Sequence, residues 1–381
     1  MVSCNPPLNN PYPATDRNKN NYYSTFYAQP KTLDPARAYS SDEYCFIQQI
    51  YEPPLQYHYL KRPYQLEPLT ATAIPQPRYY DTKGDPLPAN PPAEAVHRVL
   101  YEITIQKGIL YQNHPCFAQD QEGNYLYHTL SKSDTAHINQ IRDFKSTGTR
   151  ELKADDYIYQ IVRLADPRNN SPIFPIMSKY ILGLDVLAQS LAAAIEQERK
   201  KRRFSAGFSY NQQADEEAHP IVLDYQSFVL PGAIKKDDYT FHIILKTKYP
   251  QILYWLAMPF FSPLPWEADT FYNQGLLMEK NITLQSYPVG TGPFSIDVYD
   301  PNLEIILKRN ENFHQETYPS GGESGDREKG YLVDAGKPLP FIAKLIYKLE
   351  RESIPRWNKF LQGYYDASGI PSDSFDQRLN I

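Results

Sequence analysis

The chain has 381 residues, 41% of them hydrophobic and 22% charged, enough apolar material for two or more cored domains. A net charge of -5 and a sequence pI near 5.9, with Lys and Arg scattered along the chain, argue against the basic footprint of a nucleic-acid binder. Its three cysteines, Cys4, Cys45 and Cys116, lack the spacing of a metal site and the number of a disulfide framework, and no apolar run approaches the ~20 residues that span a bilayer. A single Cys45 to Cys116 bond stays open, since spacing does not test its geometry. The 32 Tyr and 34 Pro residues favour turns, extended segments and amphipathic rings suited to a polar cleft, although Tyr is also an ordinary strand residue.

Residues 1–22 are Asn/Pro-rich and read as a leader or tether. Met1-Val2-Ser3-Cys4 resembles the end of a bacterial lipoprotein cleavage site, where a small residue precedes a cysteine that becomes lipid-modified. The expectation is lipid attachment at Cys4, with an accidental cysteine as the alternative. Thr32-Leu33-Asp34-Pro35 is an extended segment entering a turn. A helix follows, capped by Ser40 or Ser41, with Tyr44, Ile47, Gln48 and Tyr51 at helical spacing. Glu52-Pro53-Pro54-Leu55 stops it. The order of Thr32-Leu33-Asp34-Pro35, a short helix, Tyr51-Glu52-x-x-Leu55 and Tyr64-x-Leu66-x-Pro68-Leu69 resembles the N-terminal part of the bacterial extracellular solute-binding proteins of the oligopeptide, dipeptide and nickel type.

Gly, Pro and Asp between Asp81 and Pro92 mark an exposed loop. Arg98 to Gln106 alternates as a strand, with Val99, Tyr101, Ile103 and Ile105 on one face, and Lys107-Gly108 turns it. From Leu152 to Pro167 the spacing predicts a helix whose Ile158, Ile161, Val162 and Ala165 share a face. Asp155 and Asp156 stand in its first turn, where carboxylates serve as caps far more often than as catalysts. This Ala-Asp-Asp, aromatic, Arg-Leu-Ala-Asp-Pro run resembles a signature of the same family. Residues 178–204 form an amphipathic helix striped by Leu184, Leu187, Leu191 and Ile195, and Lys200-Lys201-Arg202-Arg203 is explained by the helix dipole and solvent. Tyr239, Phe241, Ile243 and Leu245 predict a strand, with His242 facing the other way and no visible partner.

Tyr249 to Pro259 resembles the family's Pro-led apolar helix at the ligand cleft, with Tyr254 and Met258 as lining candidates. Pro288-Val289-Gly290-Thr291-Gly292-Pro293-Phe294 is a stiff, bare turn feeding a strand. With Ile305 to Phe313 it resembles the family's Gly-Thr-Gly-Pro-aromatic turn and Leu-x-Arg-Asn strand end. Phe341 to Arg351 alternates as a strand. A helix starting at Ser353 carries Trp357, Phe360 and Leu361 until Gly363, and Asp366 is assigned to a short strand beyond.

The resemblance implies an α/β fold with mixed sheets and the two-lobe, type II architecture of periplasmic binding proteins. Its expected divisions are a first lobe from residues 23–51 and 184–290, an inserted subdomain at 52–183, and at 291–381 the start of an incomplete second lobe. The implied function is the substrate-binding component of an ABC importer for peptides, periplasmic or at the cell envelope, monomeric, with permease and ATPase partners. It implies no catalysis, cofactor or metal. Tyr254, Met258, Gly290, Thr291, Gly292 and Phe294 are the candidate ligand contacts. The Asp that captures a peptide's α-amino group in peptide-binding members falls outside the matched blocks. Alternatives are a fragment unable to clamp a ligand, a non-transport partner on the same fold, and an extracellular hydrolase with an aromatic-rich cleft. The hydrolase requires two carboxylates across a cleft or a Ser/His/Asp set.

Overall fold

The computed structural model describes residues 11–16, 19–206 and 210–372; Cys4 lies outside them. In chain order the strands are β1 Asn21–Phe26, β2 Leu55–Tyr57, β3 Leu66–Pro68, β4 Pro77–Tyr80, β5 Arg98–Thr104, β6 Ala233–Asp237, β7 Thr240–Leu245, β8 Phe294–Asp300, β9 Glu304–Arg309 and β10 Lys344–Leu349. They form one sheet of order β1-β10-β9-β8, a second of order β4-β5-β7-β6, and the separate pair β2-β3. Only the β1-β10 pairing is parallel among these strands.

The sequence alternation matches the observed faces. Val99, Tyr101 and Ile103 of β5 are buried and lie opposite Leu245, Ile243 and Phe241 of β7, so each pleat presents a continuous apolar row. The helix Ala154–Leu164 covers this row, with Tyr157 stacked on Phe241 at 5.2 Å between ring centroids. In the first sheet Leu345 and Tyr347 lie opposite Leu307 and Ile305, and Phe46 packs edge-on against Tyr347 and Phe26. The helix expected over 178–204 is broken at Gly183, whose φ is 76°: Phe174–Tyr180 is a separate helix, and Leu184–Ala206 buries Leu184, Leu187, Leu191 and Ile195 as expected. Its basic end is neutralised in part by ion pairs of Arg199 and Arg202 with Glu196, Glu198, Asp215 and Glu216.

Several expectations differ from the structure. Strands β8, β9 and β10 share a sheet with β1, so residues 291–381 do not begin a unit separate from residues 23–51. Likewise β5, placed in the 52–183 subdomain, pairs directly with β7 of the 184–290 segment. Alternation fixes which face of a strand is buried but not which strand lies beside it. The helix after Ser40 runs only from Ser41 to Ile47, and its buried positions are Glu43, Phe46 and Ile47, with Tyr44 and Gln48 exposed. The first sheet lies on the Phe46 side, which rotates the apolar stripe by one residue. The helix Ser353–Leu361 buries Trp357 but leaves Leu361 exposed. Asp366 forms no strand: its backbone N–H donates to Tyr23 O, and its Oδ2 accepts from Tyr23 N–H at 2.7 Å. Cys45 and Cys116 are both free.

Candidate ligand cleft

Pro53 and Pro54 lead into β2, whose neighbour β3 returns antiparallel beside it. Residues 311–343 connect β9 to β10 and pack over this pair. Lys61 Nζ donates to Gly322 O at 2.7 Å, and Arg62 N–H donates to Glu323 Oε1 at 3.3 Å. Gln56 on β2 faces Glu67 on β3 and bridges outward, its Nε2 donating to Glu67 Oε1 at 3.1 Å and to Glu316 Oε1 at 2.8 Å. Next to them, His314 Nε2–H donates to Glu52 Oε1 at 2.7 Å.

Two cavities meet along these residues. One, of about 450 Å³, is lined by Tyr44, Glu52, Gln56, Tyr57, Ala257 and Glu316 among others. The second, of about 470 Å³, is walled by Phe294, Phe313, Pro340, Leu345 and Tyr347. They share Gln49, Tyr59, Pro293 and Glu316, so a polar hollow and an apolar one lie side by side, as in a site for a ligand of mixed character.

The electrostatics of the polar hollow follow from its carboxylates. Burial raises the Glu316 carboxyl above its ordinary value, and repulsion from Glu52 and Glu67 adds to that against the Gln56 amide hydrogen bond. For His314 burial opposes the charge, but the Glu52 hydrogen bond and charge outweigh it and raise the imidazole. Glu52 is 2% exposed, and its Oε2 has no hydrogen-bond partner among the described residues.

The expected contact residues are distributed unevenly around this cleft. Phe294 lines the apolar cavity. Gly290, Thr291 and Gly292 are buried against the chain's own backbone. A Cβ on Gly290 would stand 2.0 Å from Ile50 O and one on Gly292 2.7 Å from Ile50 C and O. Gly292 N–H donates to Ile50 O at 2.8 Å, and Gln112 N–H donates to Gly290 O at 3.0 Å. The bare turn admits a close approach, as expected, but residues 49–50 and Gln112 occupy it. Tyr254 is 53% exposed and lines neither cavity. Met258 is half-buried, and its neighbours Ala257 and Pro259 line the polar hollow in its stead.

The sequence reading missed Glu52, Gln56, His314 and Glu316 as a group. Their only signal is the Tyr51-Glu52 block and a His-Gln-Glu triplet at 314–316, which nothing local connects. Elsewhere, His242 has a partner after all, since its Nε2 lies 3.0 Å from Glu102 Oε2 across β5 and β7. Asp156 caps its helix through Lys153 N–H and also holds Arg150, which reaches Glu267 on the other side. Asp155 is exposed and paired with Lys235. The carboxylates that a hydrolase reading would recruit are therefore occupied by a cap and by ion pairs. Among the described residues no cluster of His, Cys, Asp and Glu is arranged to hold a metal ion, and no helix is long and apolar enough to cross a membrane.

Residues 144–380 match the family described as bacterial extracellular solute-binding proteins, family 5 Middle. The chain belongs to this family of solute-binding proteins. The matched span runs from before the helix Ala154–Leu164 through β10, and so includes strands of both sheets. The solute-binding chain shares its mixed α/β fold with solved periplasmic binding proteins. The ABC transporter-associated periplasmic binding protein DppA from Helicobacter pylori, in complex with the peptide STSA, is 17% identical with a TM-score of 0.51, over 95% of this chain and 49% of that one. Listeria monocytogenes OppA bound to peptide is 13% identical at a TM-score of 0.54, over 95% and 49%. The Escherichia coli murein tripeptide binding protein MppA is 13% identical at 0.55, over 95% and 48%. The solute-binding chain thus spans about half the length of these structures. No curated protein sequence matches it.

Proposed function

We propose that this chain carries part of the ligand-binding surface of a substrate-binding component of an ABC importer, and that its ligand is a peptide. Such a receptor works outside the inner membrane, hands its ligand to a permease driven by an ATPase, and forms or breaks no bond in the ligand. The observation that carries this reading is the pair of abutting cavities sharing Gln49, Tyr59, Pro293 and Glu316. An extended ligand lying across that line places successive side chains in hollows of different polarity, which is the way an extended peptide is read. Family membership and the peptide-bound neighbours support it.

Calorimetric titration of the 381-residue chain with short peptides, and separately with sugars and nickel, tests the reading. Peptide binding that weakens roughly tenfold on Phe294→Ala, as expected for removing a buried aromatic contact, supports it. Binding of a sugar or nickel with no response to peptides replaces it. Lipid attachment at Cys4 belongs to the same proposal and is checked by the intact mass of protein from a membrane fraction; an unmodified Cys4 removes it.

A further inference from the structure

The two abutting hollows are walled largely by rings. Tyr44, Tyr57 and Tyr59 line the polar one, Tyr59, Phe294 and Phe341 line the apolar one, and Pro293 belongs to both. Tyr44, Tyr57 and Phe341 are each 39% exposed and Tyr59 is 47% exposed, so broad ring faces stand open to water inside the cleft. Among the described residues no Lys, Arg or His lines either hollow, and the walls have nothing to hold a carboxylate. The hydroxyls of Tyr44 and Tyr57 and the side-chain amides of Gln48 and Gln49 line the polar hollow and bond to no other described residue, so each is left to donate to an incoming carbonyl. Backbone donors are scarcer there. The N–H groups of Gly290, Gly292 and Phe294 are taken by Gln112 Oε1, Ile50 O and Gln49 O, and Pro293 has none. Along this wall rings and side-chain donors replace the free strand edge that would pair with an extended ligand.

We infer that the paired hollows receive a proline-containing segment of the ligand in the polyproline II conformation, its proline rings packed on Tyr57 and Tyr59 and its carbonyls accepting from the Tyr44 and Tyr57 hydroxyls and the Gln48 and Gln49 amides. The inference rests on the peptide-binding reading and narrows it to peptides that carry proline. A polyproline II segment makes no internal hydrogen bonds, so its carbonyls point outward and need donors. Its prolines bring no N–H of their own that would have to find an acceptor. The C–H groups beside the proline nitrogen are electron-poor and lie well on the negative face of a tyrosine ring. Proline also fixes φ in the free peptide, so less conformational freedom is lost on binding. Successive turns of such a segment fall into neighbouring ring-lined hollows, as in other aromatic-lined grooves that take Pro-rich chains.

The test titrates the 381-residue chain by calorimetry with hexapeptides that differ only at their third and fourth positions, which are both proline, both alanine or both sarcosine. The proline peptide is expected to bind roughly tenfold more tightly than the alanine peptide. Sarcosine lacks the N–H but has no ring, and its peptide is expected to bind like the alanine one; sarcosine binding as tight as proline overturns the packing on Tyr57 and Tyr59. Both tyrosines are well exposed, so their replacement leaves the fold in place. Tyr57→Ala, and independently Tyr59→Ala, are expected to bring the proline-to-alanine ratio toward one, whereas Tyr57→Phe keeps the ring and most of the preference. A ratio unchanged in both alanine variants overturns the inference. Equal affinity of the unaltered chain for proline and alanine peptides also overturns it while leaving peptide binding intact, and absence of binding by every peptide overturns both.

Discussion

Asp34 and Arg163 face one another almost wholly out of water, each side chain 4% exposed, with Arg163 Nη2 donating to Asp34 Oδ2 at 2.7 Å and Nη1 to Oδ1 at 3.0 Å. Burial opposes ionisation of Asp34, but the charge and hydrogen bonds of Arg163, with the Ala36 N–H, outweigh it and keep the carboxyl below its ordinary value. The pair ties the turn at residues 32–38 to the helix Ala154–Leu164, and so joins two of the sequence blocks that carry the family resemblance. Asp34→Asn removes the closer, bidentate counter-charge of a buried guanidinium and leaves it only Asp269 Oδ1 at 3.7 Å from Nε; it is expected to lower unfolding free energy by about 3 kcal/mol, read from urea denaturation. The His314 pair gives a pH-dependent counterpart. Its folded value is raised above the ordinary imidazole range, so its stabilisation is complete below about 6.5 and lost as pH rises through the folded value. Loss of stability in His314→Gln is therefore expected to be larger, by about 1 kcal/mol, at pH 6 than at pH 9. Little of this was legible in the sequence. Gln56 and Glu316, like Glu102 and His242, meet because strands and connections bring them together, and an isolated His or Glu carries no mark of its partner. Phe294 was legible because an aromatic directly after a bare Gly-x-Gly-Pro turn starts a strand whose first position faces the core.

Elements were legible wherever one face met one core. The strand β5 follows its period because it packs a single apolar row. The helix Ala154–Leu164 is instead buried on nearly every side, with Ile158 of the expected stripe only half-buried and Tyr157 turned to the sheet, and β7 buries Ile244 on its second face. The helix Ser41–Ile47 is short, so its stripe is set by the sheet it meets and not by its own period. Its start is secured locally: Ser40 Oγ accepts from Glu43 N–H, and Glu43 returns through Oε2 to the N–H groups of Ser40 and Tyr39 and through Oε1 to that of Lys31. Glu43 is buried because it serves three backbone donors. Ser40→Ala removes one cap and is expected to cost about 1 kcal/mol. Glu43→Ala strands three donors and is expected to cost more, by at least about 1 kcal/mol. Comparing their thermal unfolding midpoints checks the ranking.

At the scale of the molecule, the family and mixed α/β fold were legible while the division of the chain among sheets was not, because strand neighbours are chosen by edges that lie far apart in sequence. The edge strand β1 pairs in parallel with β10 alone, Asn21 with Lys344 through Phe26 with Leu349. Tyr23 N–H is taken by Asp366, so the alternate residues Tyr22 and Ser24 face β10; substituting Tyr22 and Ser24 by proline removes the backbone donors of that pairing and is expected to expose β10 to proteolysis while the second sheet keeps its hydrogen-exchange protection. The same pairing orders events during synthesis. The second sheet has all its strands once Leu245 has emerged, whereas β1 precedes its only partner by most of the chain's translation and spends that interval as an open edge. The chain therefore assembles from its middle, and the strand nearest its beginning is among the last to be fixed.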